Sequence, residues 1–206
     1  MAGYKHEESM HKVSPEEFDK IILNRRSVRF YTEEKIPAEI VEKVLDWGLL
    51  APNSSNLQPW EFYWVKDPNK KADLVEALLS QPAARTAQEL IVAVAKRKSW
   101  KKISAQMLAV LEDSPDVPKA AKDYYGKIVP LAYTMGPLGI IGIFKKIAVT
   151  IAGMTRPVPR EPCTIADMRV WAVKSTSLAC ENIMLGFSAF GYDSCPMEGY
   201  DSSRVK

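Results

Sequence analysis

Residues 51–66 read APNSSNLQPWEFYWVK, and their reading organises everything around them. Ala51-Pro52-Asn53-Ser54-Ser55-Asn56-Leu57-Gln58-Pro59-Trp60 crowds short hydrogen-bonding side chains between prolines, the composition of a turn. Glu61 to Lys66 then changes to aromatic and β-branched residues, which predicts a strand. Upstream, Ile40, Val41, Val44, Leu45 and Trp47 recur at helical spacing from Pro37 and stop near Gly48 to Pro52. Downstream, Asp67-Pro68 caps a helix that runs through Leu79. The unit is helix, polar loop, strand, helix. Such a loop can grip a polyhydroxyl chain or the edge of a heterocycle, and an ordinary helix-to-strand connection has the same composition.

Further out, Glu89 to Lys96 (ELIVAVAK) predicts a second strand, apolar enough to be buried on both faces. Ser14-Pro15-Glu16-Glu17 predicts a capping box opening a helix with Phe18, Ile21 and Ile22 on its apolar face. Trp100 to Leu111 and Lys119 to Tyr125 read as helices parted by the turn Asp113-Ser114-Pro115. Asp167 to Phe190 reads as a long apolar helix, and Tyr192 to Met197 as a third strand. Helices outnumber strands, so the expected fold class is α+β, a small mixed sheet wrapped by helices. At 206 residues the chain suits one domain, 1–206, with residues 1–13 expected to be mobile.

Composition removes several functions. The only histidines are His6 and His11, both in the polar N-terminal stretch, so histidine-based nucleophilic catalysis and multi-histidine metal sites have no residues to use. No metal site is expected. Twenty-eight basic and 25 acidic residues are spread along the chain, leaving no footprint for nucleic acid. Cys163, Cys180 and Cys195 form no CxxC pair, and the first residues lack a signal-peptide core. A cytoplasmic location is expected. Gly136, Gly139 and Gly142 do not make a dinucleotide fingerprint.

Ile128 to Phe144 is 17 residues without a charge, followed by Lys145-Lys146. About 20 are needed to span a bilayer, and the prolines and glycines of this run oppose a straight helix. The expectation is a mobile apolar cover, residues 128–154, over a ligand pocket, with core packing as its rival. Peripheral membrane contact is not favoured, because two lysines contribute only about 1 kcal/mol each near an anionic surface.

Two more clusters carry chemistry. Arg25, Arg26, Ser27 and Arg29 place three guanidinium groups and a hydroxyl within five residues, a density suited to phosphate, although a solvated helix end explains them too. Cys195-Pro196-Met197-Glu198-Gly199-Tyr200 ends a strand, where proline and glycine can turn backbone amides toward a ligand or simply end it.

In this order and spacing the three clusters resemble the nitroreductase family of FMN proteins; SSNLQPW and PMEGY are the specific parts. The resemblance implies a nitroreductase-like sandwich with a mainly antiparallel sheet, in an intertwined homodimer holding FMN between subunits. It implies that Arg25, Arg26 and Ser27 meet the FMN phosphate and ribityl chain, and that Arg29 lies near the pyrimidine side of the ring. Asn53, Ser54 and Asn56 match the loop given by the partner subunit. Gln81 matches an amide at the pyrimidine edge, Arg85 stands in for a nearby lysine, and Pro196, Met197, Glu198 and Gly199 lie against the ring. Residues 101–162 fall where the family varies, as lid or insert. The family segment that follows EGY is expected to be missing, leaving phosphate to Arg25, Arg26 and Arg204.

The implied function is electron transfer from NADH or NADPH to a nitroaromatic, quinone or similar small acceptor by a ping-pong cycle. No side-chain acid or base is required, because the flavin carries the chemistry. The alternatives are reductive dehalogenation or flavin-consuming chemistry, with Tyr124, Tyr125 and Lys127 lining a lid, and flavin storage with little turnover.

Overall fold

Proline at the first helical position starts α1, Pro15–Asn24. The computed structural model describes residues 14–114 and 116–206. His6, His11, Pro115 and the N-terminal stretch expected to be mobile lie outside the described residues. The capping box expected at Ser14 does not form: Ser14 makes no capping bond, and its hydroxyl contacts the Glu16 carboxylate instead. Glu16 is one residue nearer than the Glu17 that a box requires. Then follow α2 (Ala38–Leu49), β1 (Trp60–Trp64), α3 (Pro68–Ala77), α4 (Pro82–Thr86) and β2 (Ile91–Ala95). Asp67 caps α3 as expected, accepting from the Lys70 amide at 2.9 Å.

β1 and β2 pair antiparallel, with Trp60 opposite Ala95 and Trp64 opposite Ile91. The fold is rich in helix, and its sheet has these two strands. Two expectations change here. Tyr192 to Met197 forms no strand; only an isolated parallel bridge joins Ser194 to Ser27. Pro196 has no amide with which to continue a ladder. Nor is β2 buried on both faces: Ala93 and Ala95, which alternate onto one face of the strand, are exposed.

α5 (Trp100–Glu112) precedes a continuous helical run made of α6 (Lys119–Asp123), one π turn (Tyr124–Ile128) and α7 (Val129–Tyr133). Pro130 falls just after the π turn, near the start of α7, where its missing N–H is tolerated. This run therefore passes the Tyr125 boundary read from sequence. α8 (Ile140–Ala152) and α9 (Ile165–Ala189) complete the chain. α9 starts two residues earlier than expected because Thr164 and Asp167 form a reciprocal capping box. It is the axis of the fold, packing against α1, α2 and both strands. Val41 and Val44 of α2 bury against Ile183 and Phe187 of α9. Gly48 permits the crossing, since a Cβ there would sit 2.7 Å from the Ile183 side chain.

The expected cover over residues 128–154 divides into two parts. Val129, Tyr133 and Met135 are buried with Leu57, Trp100 and Met168, so this end is core, the rival reading. From Leu138 onward the apolar side chains point outward instead. No single helix among the described residues is long and apolar enough to cross a membrane.

Candidate functional site

α1 ends in extended backbone at Arg25, and an isolated parallel bridge then joins Ser27 to Ser194, just before Cys195 and Pro196. Arg25 is half-buried, while Arg26, Ser27 and Arg29 are exposed. Arg26 donates to the Arg25 carbonyl at 2.8 Å, and among the described residues none of the three arginines is in an ion pair. Ser194, the bridge partner of Ser27, has a buried Oγ without a hydrogen-bond partner. Three guanidinium groups in no ion pair, with the exposed Ser27 hydroxyl among them in sequence, fit an anionic ligand rich in oxygen. The donor set thus suits a flavin mononucleotide phosphate and its polyhydroxyl chain.

The third cluster is fastened to the turn between α3 and α4. The Asp201 amide donates to the Ala77 carbonyl at 2.8 Å, and Met197 packs with Leu74, Leu78, Ala84 and Leu90. Gln81 Nε2 donates to the Gly199 carbonyl at 2.7 Å and to the Leu78 carbonyl at 3.1 Å. Its amide nitrogen is thus engaged within the chain, holding the Pro196 to Gly199 segment in place. Pro196, Glu198 and Gly199 are exposed, as is Arg85 on α4. Arg204 pairs with Glu76 and Asp201, so its guanidinium is already compensated. The Tyr31 amide donates to Thr86 Oγ1 at 3.1 Å, which ties the arginine segment to α4. Burial, with Cys195 and Asp193 adding, pushes the Tyr31 phenol up to about 12, so it stays neutral at physiological pH.

The polar loop is built separately. Leu57 is fully buried and anchors it, while Ser55, Asn56 and Gln58 adopt positive φ. Asn53 Oδ1 accepts from the Gln58 amide at 2.8 Å, and Asn56 Oδ1 accepts from Gln58 Nε2 at 3.3 Å. Three tyrosines of the α6 to α7 run grip the serines. Tyr133 OH donates to Ser54 Oγ at 3.1 Å, Tyr125 OH donates to the Ser55 carbonyl at 3.1 Å, and Tyr124 OH lies 2.6 Å from Ser55 Oγ. Tyr124 and Tyr125 open the π turn and reach two different groups of the same serine, its hydroxyl and its carbonyl.

The structure therefore joins the arginine segment to the stretch that runs into PMEGY, with Gln81 bonded to the latter, while Asn53, Ser54 and Asn56 find their partners in their own loop and in Tyr133. Among the described residues no hydrogen bond or ion pair joins that loop to either cluster. Tyr31, Thr86, Ser194 and Tyr133 escaped the sequence reading. Only Tyr133 left a signal, since Tyr125, Val129 and Tyr133 recur every four residues and so share a face. A cavity of about 480 Å³ lies between α8 and the start of α9, lined by Leu138, Ile143, Lys146, Ile147, Cys163 and Ile165 among others. It includes none of the cluster residues, and the chemistry of the donor groups marks the clusters as the better cofactor site. No group of three or more metal-ligating side chains occurs among the described residues.

The profile of the nitroreductase family matches residues 22–206. An NADH dehydrogenase of Thermus thermophilus is 25% identical over 186 residues, covering 89% of this chain and 74% of that protein. Iodotyrosine deiodinase 1 of Mus musculus is 36% identical over 67 residues, 32% of this chain and 24% of that protein. A solved structure from Exiguobacterium sibiricum, described as a nitroreductase in complex with FMN, superposes with a TM-score of 0.65 at 23% identity, covering 96% of this chain and 80% of that one.

Proposed function

The chain belongs to the nitroreductase family, and from that membership we propose that it is an FMN-dependent oxidoreductase passing electrons from NADH or NADPH to a small acceptor such as a nitroaromatic or a quinone. The observation that supports this reading is the Ser27–Ser194 bridge, which joins the arginine segment, whose three guanidinium groups are in no ion pair among the described residues, to the stretch that runs into PMEGY. FMN, when bound, supplies the exchange of two electrons between nicotinamide and acceptor. Arg25, Arg26 and Ser27 would hold its phosphate and ribityl chain. Arg29 provides a fixed cation where reduction places negative charge. Pro196, Met197, Glu198 and Gly199, braced by Gln81, supply the backbone surface against which the ring rests.

The polar loop belongs to the neighbouring subunit's site. The absence of any hydrogen bond or ion pair between it and the arginine segment among the described residues supports a homodimer, and so does the apolar surface left open on α1 and α9, including Phe18, Leu23, Val170 and Leu178. The experiment is anaerobic mixing of the FMN-loaded protein with NADH and with NADPH, followed by a nitroaromatic or a quinone. Rapid bleaching and reoxidation by acceptor support the enzyme reading. Persistent yellow colour with both donors would replace it by flavin storage.

Reductive dehalogenation is a second reading, favoured by the similarity to the mouse deiodinase. Its candidate lid residues are otherwise occupied: Tyr124 and Tyr125 bond Ser55, and Lys127 pairs with Asp123 at 2.7 Å. A halogenated tyrosine or phenol in the same turnover assay separates the two.

A further inference from the structure

α8 is turned inside out relative to a helix facing water. Leu138, just before it, is 93% exposed, and Ile140, Ile143, Phe144, Ile147, Ile151 and the following Met154 are 50% to 78% exposed. Its one buried residue is Gly142. Lys145, the kind of residue that ordinarily faces solvent, turns inward and donates to the Ala132 carbonyl and, at 3.0 Å, to the Pro162 carbonyl. Burial holds its ammonium below the usual lysine range. A surface helix normally buries its apolar stripe and exposes its charges, whereas α8 exposes its apolar side chains and turns one of its two lysines inward. An apolar patch of this extent marks an interaction surface.

Charge selects the occupant. Ile128 to Arg160 contains no acidic residue and four basic ones, Lys145, Lys146, Arg156 and Arg160, while the rest of the chain has 24 basic against 25 acidic residues. This segment holds all of the net positive charge. Lys146, Arg156 and Arg160 are exposed and flank the apolar side chains, and none is in an ion pair among the described residues. A second copy docking through this patch would meet the same cations by symmetry, with no carboxylate in the segment to answer them. A surface of anionic headgroups over acyl chains answers both features.

The geometry suits lying on such a surface. Thirteen helical residues extend about 20 Å, short of the roughly 30 Å hydrocarbon core, and the helical run before α8 meets it at 71°. We propose that Leu138 to Arg160 is an interfacial docking element that seats the protein on an anionic lipid bilayer, with Ile143, Phe144, Ile147 and Ile151 entering the acyl boundary and Lys146, Arg156 and Arg160 meeting headgroup phosphates. The lysines alone were too weak for this role. The outward isoleucines and phenylalanine supply the insertion that the charges lack. The proposal goes beyond the flavin chemistry and holds whatever the acceptor.

The test is co-sedimentation of the full-length FMN-loaded protein with vesicles of phosphatidylcholine containing about 30% phosphatidylglycerol, against phosphatidylcholine alone, in about 0.1 M and 0.5 M salt. Binding to the anionic vesicles is expected to be at least about tenfold tighter and to weaken with salt. The double variant Ile143→Ser/Phe144→Ser alters only exposed positions and should lose at least about tenfold in binding, with unchanged circular dichroism and FMN content. Lys146→Glu/Arg156→Glu should lose binding to the anionic vesicles by a similar factor. Absence of binding by the wild type, or full binding by the serine variant, overturns the proposal. So does a higher oligomer of the wild type that the serine variant dissolves while lipid binding is absent, which would make a second copy the occupant.

Discussion

Arg29 shows how much a single side chain can be asked to do. Its guanidinium is exposed and unpaired, so a ligand rather than a carboxylate is its natural partner. In the proposed role, replacing it by alanine removes a cation from the place where reduction builds negative charge. A loss of about 1.4 kcal/mol, felt fully in the transition state, slows reduction by NAD(P)H roughly tenfold. The same loss in the reduced state lowers a two-electron midpoint potential by about 30 mV. Stopped-flow reduction and potentiometry of Arg29→Ala check both, and unchanged values would remove Arg29 from the mechanism. This residue was legible in sequence because three arginines in five positions are conspicuous. Ser194 was not, since a lone serine carries no signal until a bridge buries it without a partner.

At the scale of elements, α8 and α9 each hang on one local device. Asp167 accepts from the Cys163 and Thr164 amides, both at 2.8 Å, and chiefly the Cys163 bond, assisted by Thr164, holds its carboxyl below the ordinary value of 3.8. A carboxyl whose folded pKa is depressed contributes stability above the unfolded pKa and loses it as pH falls through the folded one. Asp167→Asn should therefore cost about 1–2 kcal/mol at neutral pH, with the gap to wild type closing below about pH 3.8. Thermal melts across pH read this directly, and a gap that persists in acid would show that the carboxylate is not the source. In α8, a Cβ on Gly142 would lie 2.1 Å from the Cys163 carbonyl oxygen. Gly142→Ala is expected to lower stability by about 1–3 kcal/mol through overpacking. An unchanged melting temperature would mean that α8 is not seated there. The helices were legible because 3.6-residue periodicity survives in sequence. The third strand was misread because an apolar run next to a proline looks like a strand until its pairing partners are known.

For the whole molecule, the proposed assignment of the polar loop to the neighbouring subunit's site makes flavin binding a property of two chains, which sets two expectations. Sedimentation should give about twice the 23.1 kDa chain mass. A sharper check pairs two defective proteins, Arg25→Ala/Arg26→Ala and Asn53→Ala/Ser54→Ala. Refolded together, half of the dimers are mixed and one of their two sites is intact, so about a quarter of wild-type FMN binding returns. No recovery on mixing would assign both clusters to one chain. The sequence by itself determined the family, most helices, the two paired strands and the three clusters, because periodicity, turn chemistry and short motifs are local properties of a chain. Only the tertiary structure decided which clusters meet, that Tyr124, Tyr125 and Tyr133 hold the polar loop, and that the uncharged run divides between core and an outward apolar face. Those outcomes depend on which side of a helix finds a neighbour, and an inward lysine reverses that choice without changing the composition from which a sequence is read.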